Sequence, residues 1–368
     1  TAAEITPIIK IDKRKIGSGK VGDITKLFMD TYSDIVMNKN KKYSNWLTAV
    51  YWLKVVQIGV GGWGKNHSRI LSGFGVLSAV CDTNLERAEE FGKKYSVNFY
   101  NSLESLLDQE KFDAALICTP TITHSDIATK LIENKKHVFI EKPMTYLSDD
   151  GQSLVDLAKR NKVILTCGYI ERFNPAVVSV KNSIKSQKYG DLIRLEFYRE
   201  HRMPQHIKDV GVIYDTSVHD IDTAMWLFDD TPEVVFAIAG KINHEHEDFA
   251  TITLGFKDNK TATISSNWIT PIRVRNFNAV CTDARIFSDF ITQEVRIETH
   301  NDTETPKNEK VEPLSLEIRN FLDAIDSKND LVVKPEQAVN VTKIAEAALL
   351  SSQRGTPIYL DLRWTENY

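Results

Sequence analysis

The 368-residue sequence predicts an α/β protein in two successive patterns: a doubly wound parallel sheet, then an α+β region carrying a large, mostly antiparallel open sheet. Three observations predict it. From Leu53 to Gly168, short apolar runs alternate with amphipathic helical segments, the rhythm of βαβ units. From Asp191 the apolar period falls to two, with Ile193, Leu195 and Phe197 alternating with Arg194, Glu196 and Tyr198. At the head of the first pattern, LKVVQIGVGGWGKNH (Leu53 to His67) passes from β-prone residues through a glycine loop into a helix-compatible segment.

That order of strand, glycine loop and helix is what a dinucleotide site needs. Gly59 permits the tight turn, Gly61 leaves room for a pyrophosphate against the backbone, and Gly64 lets the helix pack close to the strand; Gly62 and Trp63 complete the loop. A helix start offers unpaired N–H groups and a positive dipole end to phosphate. Alone the glycines are weak evidence. The next apolar run, Val76 to Cys81, ends in Asp82, placed to hold the adenosine ribose hydroxyls, and an acid there favours NAD over NADP. The bland alternative is a plain turn with Asp82 capping the helix that begins near Asn84.

After Asp82 the pattern predicts a helix through Arg87, Ala88 and Phe91, a short strand near Val97 to Tyr100, a helix from Ser102 to Leu107 and a buried strand from Asp113 to Cys118. Thr119-Pro120-Thr121 ends that strand at a carboxyl edge of the sheet, where ligands bind in such folds. His124 opens the next helix and is a candidate nicotinamide contact, against the commoner reading of a polar first-turn residue. Strand His137 to Ile140 leads into Glu141-Lys142-Pro143, whose proline forces a turn that aims Lys142 into the cleft; a solvated surface lysine is the alternative.

In the second half, strands are expected at Val234 to Ala239, Phe249 to Phe256, Thr261 to Trp268, Ile272 to Val280 and Val295 to Thr299. One face of that sheet would cover helices and the other would meet a second subunit. Ahead of it, Gly211 to Asp222 reads as one helix with Asp215 and His219 at i and i+4 on a single face and Asp222 three further on. A histidine near neutral pKa suits proton removal from a hydroxyl, and a neighbouring carboxylate can orient it. On spacing alone, an ordinary surface pair is the commoner outcome. The run His244 to Asp248 reads as a solvated turn, and no metal is expected. Helices are expected at Leu316 to Ile325 and after Pro335.

Apolar residues at 42% and charged residues at 26% describe an ordered globular chain long enough for two cores. A net charge of -4 argues against a nucleic-acid or anionic-membrane surface. No apolar run approaches the ~20 residues of a membrane span, and the start lacks a secretion signal, so a cytoplasmic location is expected. Cys81, Cys118, Cys167 and Cys281 are scattered, which favours reduced thiols over disulfides or zinc ligands.

Residues 1–51 read differently. Glu4 to Ile16 suggests a strand pair, Gly17-Ser18-Gly19-Lys20 a turn that fails the spacing of a phosphate-binding loop, and Asp23 the cap of a helix whose Ile24, Leu27, Phe28, Tyr32, Ile35 and Val36 need something to pack against. TAAEITPI, IDKRKIGSGKVGDITK and KKYSNWLTAVY resemble the C-terminal end of a branched-chain amino-acid aminotransferase. That resemblance implies a phosphate-binding role for Thr1 toward pyridoxal phosphate. The family's Schiff-base lysine lies upstream of this region, so transamination is not expected; a fusion or a reading-frame artefact is.

With the glycine loop, Glu141-Lys142-Pro143 and Asp215-xxx-His219 in this order, the chain from Leu53 to about Trp364 resembles the glucose-fructose oxidoreductase / inositol dehydrogenase / MocA family. The resemblance implies a Rossmann NAD-binding domain (52–170), an α+β substrate and oligomerisation domain (171–368), and dimers or tetramers formed through its sheet. It implies that Lys142 and Asp215 position substrate and nicotinamide and that His219 accepts the proton. Gly168-Tyr169-Ile170-Glu171-Arg172-Phe173-Asn174-Pro175, Asp209 to Ile213, His246 to Ile252 and Asn267 to Pro271 are similar to an archaeal branch that oxidises the 3-hydroxyl of UDP-N-acetylglucosamine. Ser217 departs from a glycine common between the Asp and the His. Arg172 and Asn174 become candidate diphosphate or sugar contacts, with Tyr169 and Phe173 as candidate uracil platforms, although the structural reading of each is the commoner one, because an aromatic beside a strand end usually packs. Rival readings are a dehydrogenase of another polyol or sugar, such as inositol or a UDP-sugar uronate, and a non-catalytic NAD-binding regulator. Substrate screening separates the first, and the retained Lys142, Asp215 and His219 argue against the second.

Overall fold

The computed structural model describes residues 5–36, 53–204 and 207–360. The chain divides into two compact units, Thr1–Tyr51 and Trp52–Tyr368. In the first, β1 (Lys10–Ile11) and β2 (Arg14–Lys15) form a minimal antiparallel hairpin, shorter than the strand pair expected over Glu4 to Ile16, and α1 spans Asp23–Val36. Ile24, Leu27 and Phe28 on α1 are exposed, so the apolar stripe has no core beneath it among the described residues. Thr1, the 41–51 segment and the residues from 361 to 368 that include Trp364 lie outside the described residues.

The second unit begins with the doubly wound half. Its strands are β3 (Val55–Ile58), β4 (Leu77–Cys81), β5 (Asn98–Tyr100), β6 (Ala114–Ile117), β7 (His137–Glu141) and β8 (Leu165–Gly168). They lie in the order β5-β4-β3-β6-β7-β8, all parallel. Helices α2 (Gly64–Gly73), α3 (Leu85–Tyr95), α4 (Leu103–Gln109), α5 (His124–Glu133) and α6 (Ser148–Asn161) make the crossovers. The order reverses at β3, with β4 on one side and β6 on the other, so the loops after these strands open a crevice at their carboxyl ends. The strands carry apolar runs because helices cover both faces: every residue of β3, β6 and β8 is buried.

After α7 (Pro175–Lys185), capped by the Asn174 side chain, come β9 (Leu192–Glu200), a π-helical turn at Ile213–Ser217, α8 (Val218–Phe228), β10 (Val234–Gly240), β11 (Phe249–Gly255), β12 (Thr261–Asn267), β13 (Val274–Cys281), β14 (Ala284–Asp289), β15 (Val295–Thr299) and β16 (Thr303–Glu304). Helices α9 (Pro313–Ile325) and α10 (Pro335–Arg354) and strand β17 (Ile358–Tyr359) close the described chain. The nine strands run β16-β15-β14-β13-β9-β12-β11-β10-β17, antiparallel except between β12 and β9. Leu195, Phe197, Ile252, Leu254 and Ile264 point inward and are buried. Ile193 does not: a bulge at Val280/Cys281 sets Leu192 opposite Cys281, so Leu192 packs inside and Ile193 is exposed. β14 was not expected from the sequence; its six residues break the run with Ser288 and charged ends.

The 170/171 division expected from the sequence does not separate the packing. Phe321 of α9 meets Phe139 of β7 edge-on at 5.8 Å, and α10 lies against α6 and β8 as well as β10. The returning helices tie the two sheets into one unit.

The glycine loop carries strict space limits. Gly59 has φ +80°, and a Cβ there would sit 2.4 Å from the Cys118 carbonyl oxygen; a Cβ on Gly64 would sit 1.9 Å from the Gly59 oxygen. The helix can start this close to the strand only as glycine. Gly64→Ala should therefore cost a few kcal/mol of stability, read as a lowered midpoint in chemical denaturation, because backbone must move to admit the methyl group. An unchanged midpoint would contradict this packing.

Candidate active site

The carboxyl ends of β3, β4, β6 and β7 converge on the crevice. Gly61 is half-buried and Gly62 and Trp63 are exposed at its floor. Asp82, the residue after β4, accepts from the Val60 N–H at 3.0 Å through Oδ2 and from the Asn84 N–H at 2.9 Å through Oδ1, and Arg87 Nη1 reaches it at 3.3 Å. An open glycine turn at the switch point with a fixed carboxylate beside it fits a dinucleotide. Thr119 and Pro120 border the same crevice, Pro120 exposed.

His124 falls elsewhere. It is 1% exposed, with Nδ1 3.0 Å from the Pro143 oxygen and Nε2 2.9 Å from the Thr119 oxygen. It clasps the Thr119 loop to the turn after β7, and the expected nicotinamide contact is replaced by this internal role, because both ring nitrogens are already engaged.

The turn after β7 brings the expected residues together. The Lys142-Pro143 peptide is cis. Lys142 Nζ donates to the Asp215 carbonyl at 2.6 Å and to Asp215 Oδ1 at 2.8 Å. The unbroken α-helix expected over Gly211 to Asp222 is instead a π-turn, in which the Val218 N–H reaches back five residues to Ile213, followed by α8. The widened turn loosens the carbonyl ladder, and Lys142 takes one of its oxygens. Gly211 admits this turn: the Glu247 carboxylate occupies the space a Cβ would fill, 2.2 Å away, and Glu247 accepts from the Ile213 N–H at 3.1 Å. Glu247 thus fixes the turn from the His244 to Asp248 segment, where Asp248 in turn accepts from the Ile242 and Asn243 N–H groups.

Asp215 is ionised. Burial alone would raise its pKa, but the Lys142 ammonium and the Thr216 hydroxyl, 3.1 Å from Oδ2, hold it below the ordinary value. Trp268 Nε1 donates to Thr216 Oγ1 at 2.9 Å and locks that hydroxyl. His219 follows on the first turn of α8. Its pKa is pushed well below 6.5 by burial and then by the Lys142, Arg199, Arg275 and His201 charges, so the imidazole is neutral at neutral pH. Its Nδ1 is buried without a partner among the described residues. A neutral imidazole beside an ammonium is an arrangement suited to accepting a proton while the ammonium stabilises the oxygen that loses it.

Beneath Lys142, Glu141 anchors the turn. Its Oε2 accepts from the Lys142 N–H at 3.0 Å and its Oε1 lies 2.8 Å from His67 Nε2. Burial lowers the His67 pKa to about 3 and raises that of Glu141 to about 7, so a neutral ring shares a hydrogen bond with Glu141. Glu141 also accepts from the Trp63 side chain.

Four residues expected at the substrate are interior. Tyr169 is fully buried and Phe173 is 9% exposed, packed in the core rather than offered as platforms. Arg172 donates to Asp222 through Nε at 2.9 Å and Nη2 at 2.6 Å, and through Nη1 to Gln337 at 2.7 Å. Its guanidinium is spent on this pair, which also removes Asp222 from the face expected to carry Asp215 and His219. Asn174 caps α7 at the Ala176 N–H and donates to the Phe290 oxygen at 3.0 Å. Sequence reasoning missed Arg199, buried among apolar neighbours on β9, whose Nε and Nη2 bind Asp220 at 3.0 and 2.8 Å and whose Nη1 binds Glu171 at 3.0 Å. The available signal was phase: Leu195, Phe197 and Arg199 share one face of the strand.

Residues 53–169 match the NAD-binding Rossmann domain of the GFO/IDH/MocA oxidoreductase family, and residues 177–287 match its C-terminal domain. The UDP-N-acetylglucosamine 3-dehydrogenase of Acidithiobacillus ferrooxidans is 26% identical over 73% of this chain and 87% of its own length. Its solved structure superposes with a TM-score of 0.76 at 25% identity, covering 82% of this chain and 98% of that one. Inositol 2-dehydrogenase of Salmonella typhimurium is 29% identical over 50% of this chain and 56% of its own length, so the chain spans little more than half of that relative in the match. The WlbA dehydrogenase of Bordetella pertussis, solved with NADH and UDP-GlcNAcA, shares the fold at a TM-score of 0.73 and 20% identity over 84% of this chain and 99% of that one. These relatives are bacterial, and neither an archaeal placement nor the aminotransferase likeness of residues 1–51 follows from them. No helix among the described residues is long and apolar enough to cross a membrane.

Two outcomes follow from the electrostatics. Because the His219 pKa lies well below 6.5, its neutral form persists as pH falls through that value, and the acid limb of the kcat/KM profile should have its midpoint below pH 6.5. A midpoint at 6.5 or above would contradict a shielded histidine. Arg199→Met should cost about 3–5 kcal/mol in chemical denaturation, since it leaves Asp220 and Glu171 buried without their cation.

Proposed function

The chain belongs to the glucose-fructose oxidoreductase / inositol dehydrogenase / MocA family of oxidoreductases, and from that premise we propose that it oxidises the 3-hydroxyl of a nucleotide sugar, UDP-N-acetylglucosamine, to the ketone. The observation that carries the reading is Lys142 gripping Asp215 through two of its three N–H donors, with neutral His219 four residues on and within reach of the Lys142 charge. The third donor is left for a substrate oxygen. The likeness to the Acidithiobacillus enzyme over most of both chains supports the choice of sugar.

In this mechanism Asp215 holds the Lys142 side chain in place. Lys142 donates its remaining N–H to the 3-oxygen and stabilises negative charge as it develops there. His219 takes the hydroxyl proton. NAD, when bound by Gly59 to Gly64 and Asp82, supplies the acceptor for the hydride that leaves the same carbon. Asp82 favours NAD over NADP because its carboxylate would face a 2′-phosphate. Thr119, Pro120 and Glu141 would border the nicotinamide end. An inositol or other polyol dehydrogenase remains the rival reading and differs only in substrate.

We also propose that the uncovered face of the nine-stranded sheet joins a second copy into a dimer or tetramer. Ile238, Thr251, Ser265, Tyr198 and Asn276 lie side by side across β10, β11, β12, β9 and β13 on that face, with Ile238 and Tyr198 exposed.

With NAD and UDP-N-acetylglucosamine the protein should generate reduced nicotinamide, followed by absorbance. His219→Ala should lower turnover by roughly 10²-fold or more while NAD affinity stays nearly intact. Turnover unchanged in that variant would remove His219 from the mechanism; no turnover with this sugar but turnover with inositol would move the substrate to the rival.

A further inference from the structure

Arg275 stands on the inward face of β13, in phase with buried Phe277 and Ala279, and in register directly opposite Arg199 of β9. Two cations facing each other on one side of an antiparallel pair repel, and guanidinium groups held away from water are ordinarily paired with acids. Arg199 obeys that rule. Asp220 and Glu171 bind its guanidinium, and the second Glu171 oxygen accepts from Asn174 at 3.1 Å. No acid hydrogen-bonds the Arg275 side chain among the described residues, and its Nε is enclosed without a partner. Burial, then Arg199 and Arg273, pull its pKa down to about 10, against a partial offset from the charges of Glu171 and Asp220.

The position of this cation matters as much as its lack of a partner. Arg275 acts electrostatically on both His219 and His201, and His201, just beyond the end of β9, also senses Asp215. The register places Arg275 opposite Arg199, whose Nη2 holds Asp220, the residue after His219, at 2.8 Å. Arg273, two residues earlier and exposed, adds a second positive charge. Trp268, just beyond β12, is tied to Thr216, the residue after Asp215, at 2.9 Å.

We propose that Arg275, assisted by Arg273, is an anion-recognition subsite that binds a phosphoryl or carboxylate group of the substrate while the sugar hydroxyl lies at His219. The inference rests on the nucleotide-sugar reading and gives it a specificity-determining residue. A planar guanidinium offers paired N–H donors that match two oxygens of either group, and the bound anion supplies the counter-charge that the fold withholds. An uncharged polyol would leave that cation unpaired, so the subsite selects against it.

The test uses the full chain saturated with NAD, so that the cofactor site is filled, and measures binding of UDP and of glucuronate by calorimetry. Wild type should bind one of them, with affinity that falls as salt rises. Arg275→Gln should weaken that binding about tenfold or more, and Arg275→Lys should recover part of it, because the charge returns without the fork. UDP binding lost in Arg275→Gln assigns the diphosphate; glucuronate binding lost assigns a sugar carboxylate. Equal binding by wild type and Arg275→Gln, or binding of neither anion by wild type, overturns the subsite. UDP binding that depends on Arg275 without oxidation of any nucleotide sugar leaves the subsite standing and removes the proposed reaction. Oxidation of UDP-N-acetylglucosamine with KM unchanged in Arg275→Gln does the reverse.

Discussion

The ammonium of Lys142, bound at 2.6 Å to the carbonyl and 2.8 Å to the carboxylate of Asp215, ties the end of a parallel strand to a π-turn of the second sheet's helical layer. A lysine directed inward at the end of β7 needs acceptors there, because its charge sits in a partly closed cleft. The π-turn supplies both a free carbonyl and a carboxylate. That turn depends in its own right on Glu247, which occupies the space beside Gly211, and on Trp268, which holds Thr216. From below, Glu141 and His67 fix the Lys142 backbone. Elements from both sheets therefore meet in one ion pair, and the returning helices α9 and α10 hold the sheets in a single compact unit.

The charges around this pair have a consistent logic. Several acids around the site are committed to particular cations: Asp215 to Lys142, Asp220 and Glu171 to Arg199, Asp222 to Arg172. Burial together with the charges of Lys142, Arg199, Arg275 and His201 keeps His219 neutral. A neutral acceptor within a cationic surround favours a reaction in which a hydroxyl proton departs and oxygen gains negative character. The same surround favours an anionic substrate over an uncharged one.

Much of this was legible in the sequence. The glycine loop, the acid after the second apolar run and the lysine before Pro143 all rest on local rules, since glycine and proline interrupt regular structure and residues at the carboxyl ends of parallel strands border the crevice. The period-two strands of the second half were legible for the same reason. The π-turn was not, because an inserted residue in a helix leaves the apolar spacing almost unchanged. Arg172, Asn174 and His124 were assigned to ligands because polar residues near strand ends usually meet solvent; here each satisfies buried partners contributed by distant segments, Asp222, Phe290 and Pro143 among them. Arg199 and Arg275 broke an apolar phase that only the fold made meaningful.

The most direct measurement is the fate of deuterium placed at carbon 3 of UDP-N-acetylglucosamine during turnover with NAD. The account predicts that the label leaves the sugar and is recovered on the reduced nicotinamide, with a slower rate than for the unlabelled substrate wherever hydride departure limits turnover. Reduced nicotinamide formed while the label stays on carbon 3 would place the chemistry at another carbon and contradict the assignment of the site.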